Sequence, residues 1–206
     1  MKRALLFCSM LLIALPSLAQ RVDLILDVEG VRRNDDGPSR PIRYDPTFET
    51  GGGIGGGVNW HFSGRTSLEV KIAALVSEMH VQITGSDFVA RANLGRAQMY
   101  PITAVLQWHP VEKGSLRPYL GVGVAHVITR NIEATPLTPA IEFEDPTGLV
   151  LDAGLRIPFS KRWSLAGDAR YVPVETRGSA RFGSDDQVAE LHVRPLVVGV
   201  GIVYHY

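Results

Sequence analysis

The chain has 206 residues, with 21 Lys and Arg against 21 Asp and Glu, so its formal net charge at pH 7 is zero. That balance gives a nucleic-acid partner no electrostatic footing. The single cysteine, Cys8, excludes an intrachain disulfide framework. The length suits one domain, and no linker composition divides it.

The opening "MKRALLFCSMLLIALPSLAQ" carries a basic head (Lys2, Arg3), an apolar stretch from Ala4 to Leu15, and small residues Ser17 and Ala19 ahead of Gln20. It reads as a secretory signal peptide over 1–19, leaving 20–206 as a single domain. The apolar run is shorter than the ~20 residues a spanning helix needs. Removing two bases from 21 leaves 19 Lys and Arg, and Cys8 goes with them. An exported, glycine-rich chain without cysteine needs some other means of closing its structure.

Beyond the signal no window has sustained helical periodicity, and no apolar run approaches the ~18 residues of a membrane helix. Period-two alternation recurs instead over 21–32, 50–62, 66–83, 97–109, 117–130, 147–158, 163–181 and 189–206. "FSGRT", "HPVEKGSLR" and "PFSKRW" are short connections, whereas 33–49, 84–96, 131–146 and, less clearly, 182–188 are longer and polar. This pattern predicts an all-β fold: an eight-stranded antiparallel transmembrane β-barrel with short periplasmic turns and longer extracellular loops.

Facing follows from parity. With Tyr206 pointing to lipid, the lipid set includes Leu24, Leu26, Val28, Ile54, Val70, Ile72, Ile102, Leu106, Val122, Leu149, Leu151 and Leu165, with no charge among them. The alternate set holds Asp23, Asp27, Glu29, Glu69, Lys71, Asp152, Arg156, Asp168 and Arg170. A bilayer imposes this division, since a lipid-exposed Lys or Arg at mid-depth costs ~2–4 kcal/mol. Trp60, Trp108, Trp163, Tyr204 and Tyr206 fall at the short-turn ends on the lipid face, as an interfacial aromatic girdle. A soluble barrel would expose an aliphatic shell well beyond the ~300–600 Å² patch of ordinary soluble proteins. The last strand, "LHVRPLVVGVGIVYHY", must pair with the first so that no backbone edge is left in hydrocarbon.

Three stretches resemble the OmpW family of outer-membrane proteins: "YPITAVLQWHPVEKGSLRPYLGVGVAHV", "PTGLVLDAGLRIPFSKRWSLAGDARYVPVETRGSARF" and the ending "VRPLVVGVGIVYHY". "GGGIGGGVNWHFSGRTSLEVKIAALVSEMHVQITG" is similar in layout to that family's second hairpin. The resemblance implies an eight-stranded barrel in the outer membrane of a Gram-negative bacterium, with a narrow, unusually hydrophobic interior that passes or binds small apolar molecules. A terminal aromatic strand of this kind resembles the signal read by the outer-membrane assembly machinery. The chain departs from the family pattern in the acidic Asp23, Asp27 and Glu29, and in its final "HY", where the family has a basic residue and Phe.

An eight-stranded barrel is just wide enough to be filled by side chains or to hold one small ligand. Asp23, Asp27, Glu69, Lys71, Asp152, Arg156, Asp168 and Arg170 are expected near the short-turn side and middle, either as a mutually paired network or as an ion path. Toward the long loops Met79, Val81, Val127, Val172, Val174, Val193 and Val197 form an apolar cup. Inward glycines such as Gly55, Gly121 and Gly199 either relieve strain or make ligand space. Pro173 and Pro195 fall at nearly one height on adjacent strands, marking either a bulge or a weak seam for lateral release, since proline lacks the ladder N–H.

An enzyme acting on lipid A would draw on Ser77, Glu78, Ser86, His126 and His192, but no compact Ser/His/acid motif stands out. A structural or adhesive barrel would use 33–49 and 131–146, which carry no binding motif. No metal-ligand spacing or cofactor fingerprint is present, and "GGGIGGG" precedes no helix. The reading is a non-enzymatic barrel without cofactor, partnered by outer-membrane lipid and a small hydrophobic ligand.

Overall fold

Twelve strands and no helix make up the described residues of this computed structural model, which are 21–33, 43–48, 51–84, 89–130, 141–143, 145–182, 185–193 and 195–206. The strands are β1 (Arg21–Arg33), β2 (Arg43–Phe48), β3 (Gly51–His61), β4 (Thr66–Thr84), β5 (Val89–Trp108) and β6 (Arg117–Arg130), followed by β7 (Ile141–Phe143), β8 (Thr147–Pro158), β9 (Trp163–Tyr171), β10 (Val174–Phe182), β11 (Asp185–Val193) and β12 (Pro195–His205). Eight of them, β1, β3, β4, β5, β6, β8, β9 and β12, close into an antiparallel ring. The ring is sealed by β1 against β12, from Asp23 opposite His205 to Arg33 opposite Pro195. Closure satisfies every edge, which hydrocarbon requires because it offers no partner to a free N–H or C=O.

Four strands extend the ring on the long-loop side and correct the expected boundaries. Segment 163–181 is broken after Tyr171, and 189–206 is broken before Pro195. β10 and β11 form a hairpin that joins β7 in a separate three-stranded sheet. β2 lies in the expected loop 33–49 and pairs with β4, while β5 starts at Val89, inside the expected loop 84–96. Pro195 marks the break: β9 and β12 pair as far as Tyr171 opposite Leu196, and at the next step the Val172 N–H donates to Pro195 O at 3.1 Å but proline has no N–H to return; Pro173 lies one residue further on.

The alternation separates the two faces of the wall. Leu26, Val28, Leu149 and Val200 are 57–66% exposed on the outer surface, while every charged residue of the alternate set is at most 8% exposed. An outward aliphatic shell around buried charge is the arrangement of a barrel in lipid. Substituting Leu151→Lys, 54% exposed near mid-strand, is therefore expected to destabilise the barrel by about 2–4 kcal/mol in unfolding titrations from lipid vesicles. At the short-turn end Trp163 packs edge-on against Tyr204, with ring centroids 4.9 Å apart, while Trp108 and Tyr206 are exposed.

Candidate functional site

Adjacent strands project their inward charges to one level, where they assemble into a plug. Arg170 on β9 reaches Glu69 (2.9 Å), Glu29 (3.3 Å), Asp168 (3.3 Å) and Asp152 (3.7 Å). Lys71 on β4 pairs with Asp27 and Glu29 of β1. Arg156 on β8 crosses to Asp23 at 2.8 Å, and its guanidinium lies 5.3 Å from the Tyr119 ring centroid. Among the described residues six buried carboxylates thus face three buried cations, and every one of the six has a cation within ion-pair distance.

Neutral donors make up part of the shortfall. Gln107 on β5 donates through Nε2 to Glu69 and Asp152, both at 3.0 Å, while its Oε1 accepts from Asn59 at 2.7 Å. Burying charge is tolerable only when the remaining lone pairs are occupied in this way. Gln107, Asn59 and Glu29 were absent from the expected network. The inward parity of all three is visible in the sequence; a selection restricted to opposite charges passes over the two amides, and Glu29 stands in the inward charged set without being assigned to the network.

Nearer the short-turn mouth Asp23, with no exposed surface, gathers Arg21 (3.1 Å), His61 (2.7 Å) and His205 (2.7 Å) in addition to Arg156. His205 Nε2 lies 2.7 Å from Ser164 Oγ, so serine, imidazole and carboxylate stand in the order of a hydrolytic triad. Of the groups singled out in the sequence for such chemistry, Ser77 is buried on β4, His126 is exposed and bonds Thr147, and the side chains of Glu78, Ser86 and His192 lie outside the described residues. Ser164 itself is 1% exposed, and its strand neighbours on both sides are ladder partners, Val203 and Pro158. Paired strands leave no converging backbone N–H groups to hold an oxyanion, which is usually the largest catalytic contribution. A serine-directed fluorophosphonate is accordingly expected to leave Ser164 unlabelled by peptide mass spectrometry; stoichiometric labelling would reverse this reading.

Two cavities flank the plug. On the short-turn side a recess of about 300 Å³ is lined by Arg21, His61, His109, Arg117, Arg156 and His205. On the other side an apolar pocket of about 70 Å³ is floored by Glu29, Lys71 and Arg170 and walled by Val31, Leu75, Met99, Ala125, Val127, Val172, Pro195 and Val197. Val127, Val172, Pro195 and Val197 thus share one pocket, whereas the side chains of Met79, Val81, Val174 and Val193 lie outside the described residues. Ala73 and Leu75 pack with Val31 in a buried cluster that the sequence reading did not include. At Gly55 an added Cβ would meet Asp27 and Lys71, and at Gly199 it would lie 3.0 Å from Asp168. These two glycines make room for the plug, not for a ligand.

Across residues 48–206 the chain matches the family model described as OmpW family. The chain belongs to the OmpW family. The outer-membrane protein AlkL of Ectopseudomonas oleovorans is 28% identical over 104 residues, 50% of this chain and 45% of AlkL. An uncharacterized outer-membrane protein, y4mB of Sinorhizobium fredii, is 24% identical over 114 residues, 55% of this chain and 50% of y4mB. These alignments span about half the length of the curated relatives. Among solved structures, OprG from Pseudomonas aeruginosa superposes with a TM-score of 0.75 at 16% identity, covering 91% of this chain and 96% of OprG. AlkL in lipid bilayers gives a TM-score of 0.61 at 19% identity, covering 93% and 95%. The E. coli outer membrane protein W gives 0.51 at 13% identity, covering 91% and 98%. This OmpW-family barrel is accordingly an outer-membrane protein of a Gram-negative bacterium. Asp23, Asp27 and Glu29 of β1 supply three of the six carboxylates in its charge plug.

Proposed function

We propose that this OmpW-family barrel takes a small apolar molecule into the cup on the long-loop side and releases it sideways into the membrane through the seam between β9 and β12. The observation that carries the reading is the division of the lumen: an apolar pocket ends on a floor of Glu29, Lys71 and Arg170. An apolar molecule crossing that floor would have to displace paired ions, and breaking such pairs costs about 3–5 kcal/mol each. The wall is the cheaper exit. The β9–β12 ladder ends at Tyr171 and Leu196, Pro195 beyond it has no N–H to return to Val172, and Pro195 itself lines the pocket. The pocket of about 70 Å³ is tight for any but the smallest ligand, so passage requires the wall to part.

The closing strand β12, followed by exposed Tyr206, is on this reading the segment presented to the outer-membrane assembly machinery. Uptake of a small apolar fluorophore into proteoliposomes measures the activity, and a disulfide between β9 and β12 tests the route. Loss of uptake in the oxidised barrel supports lateral release, and undiminished uptake rules it out.

A further inference from the structure

The turns at the short-turn end repeat one design that neither the cup nor the plug uses. Phe62-Ser63-Gly64-Arg65 and Phe159-Ser160-Lys161-Arg162 are built alike, although they lie on opposite halves of the chain. In the first, Ser63 Oγ accepts from the backbone N–H groups of Arg65 and Thr66, both at 3.1 Å. In the second, Ser160 Oγ accepts from those of Arg162 and Trp163 at 3.2 and 3.1 Å. The fixed turn leaves its phenylalanine 52% exposed in Phe62 and 65% in Phe159, next to the exposed cations. The third turn repeats the combination with exposed Val111 and Leu116 beside Lys113 and Arg117, around Gly114, whose φ of 138° suits glycine.

The charge at this end has one sign. Arg21, Arg65, Lys113, Arg117, Lys161 and Arg162 stand against a single turn carboxylate, Glu112, which Arg65 takes at 3.0 Å. Among the described residues Lys113, Arg117, Lys161 and Arg162 have no carboxylate partner. An exposed ring beside an unpaired cation suits neither bulk water nor hydrocarbon, but it suits the layer where acyl chains meet phosphates. That layer lies at the height of these turns, directly beyond Trp60, Trp108 and Trp163.

We propose that this rim is a docking surface for anionic phospholipid headgroups of the periplasm-facing leaflet, whose phosphates are held by Lys113 with Arg117 and by Lys161 with Arg162. The inference rests on the short turns facing the periplasm and is independent of what the cup carries. Phe62, Phe159 and Leu116 seat against the upper acyl chains, and the cations reach past them to the phosphates.

The test reconstitutes the whole barrel in nanodiscs of phosphatidylcholine containing spin-labelled phosphatidylglycerol or, separately, spin-labelled phosphatidylcholine, and reads the immobilised fraction of each label. A preference for phosphatidylglycerol of about three-fold or more is expected at low salt, falling toward unity as salt screens the rim. Lys113→Gln/Arg117→Gln and Lys161→Gln/Arg162→Gln should each lower it, whereas Arg177→Gln/Arg181→Gln on the outer hairpin should not. The four rim positions lie outside the plug, and heat-dependent gel mobility confirms that each variant is folded. Equal immobilisation of the two lipids, or a preference unchanged in both rim variants, overturns the proposal. So does displacement of phosphatidylglycerol by millimolar inorganic phosphate, which would assign Lys113 and Arg117, both of which also line the recess, to an oxyanion site there instead.

Discussion

Replacing Arg170 by methionine is expected to destabilise the barrel by about 3–5 kcal/mol, measured as a shift in urea unfolding from lipid vesicles. The guanidinium serves four carboxylates, Glu29, Glu69, Asp152 and Asp168, and its side chain is 5% exposed. Methionine matches much of its volume, so the cost arises from charge left without a partner and not from a cavity. Adding Glu69→Gln to the Arg170→Met barrel should recover part of the loss, because the pair shares a 2.9 Å contact and contacting residues couple non-additively. A loss below about 1 kcal/mol would mean that the plug is hydrated and loosely held, as exposed pairs are.

The second large effect concerns the seam. Cysteines at Tyr171 and Leu196, which are direct partners across β9 and β12, are expected on oxidation to reduce apolar uptake to the level of protein-free vesicles, with recovery on reduction. Directly opposite residues in an antiparallel pair lie at Cα separations of roughly 4.5–5.5 Å, within the range a disulfide spans. A matching pair at Val124 and Leu149, partners across β6 and β8, closes an unbroken part of the wall and should leave uptake intact. Equal uptake in both oxidised barrels would remove the seam from the mechanism.

The sequence made the wall legible because lipid on one side and a crowded lumen on the other enforce strict parity; Leu24, Leu26 and Val28 against Asp23, Asp27 and Glu29 suffices to read β1. The extensions beyond the bilayer were less legible. In "GSARFGSDDQVAE" polar residues occupy both parities, so the alternation that marks a membrane strand is weak and the β10–β11 hairpin was read partly as loop. Within the plug the identity of the charged members was readable, but who meets whom was not. Arg156 meets Asp23 across 133 positions of chain, a contact set by barrel closure and not by local spacing. Gln107 and Asn59 were missed because a buried amide announces itself only through its partners.

The described strands fall into two hydrogen-bonded sheets, the one that forms the ring and a smaller one of β7, β10 and β11, and no ladder among the described residues joins them. Opening of the smaller sheet breaks no ladder of the larger among the described residues, so the two can unfold at separate thresholds. Sequence drift in the outer sheet then costs the cylinder little, and surface identity can diverge while the membrane-embedded architecture persists.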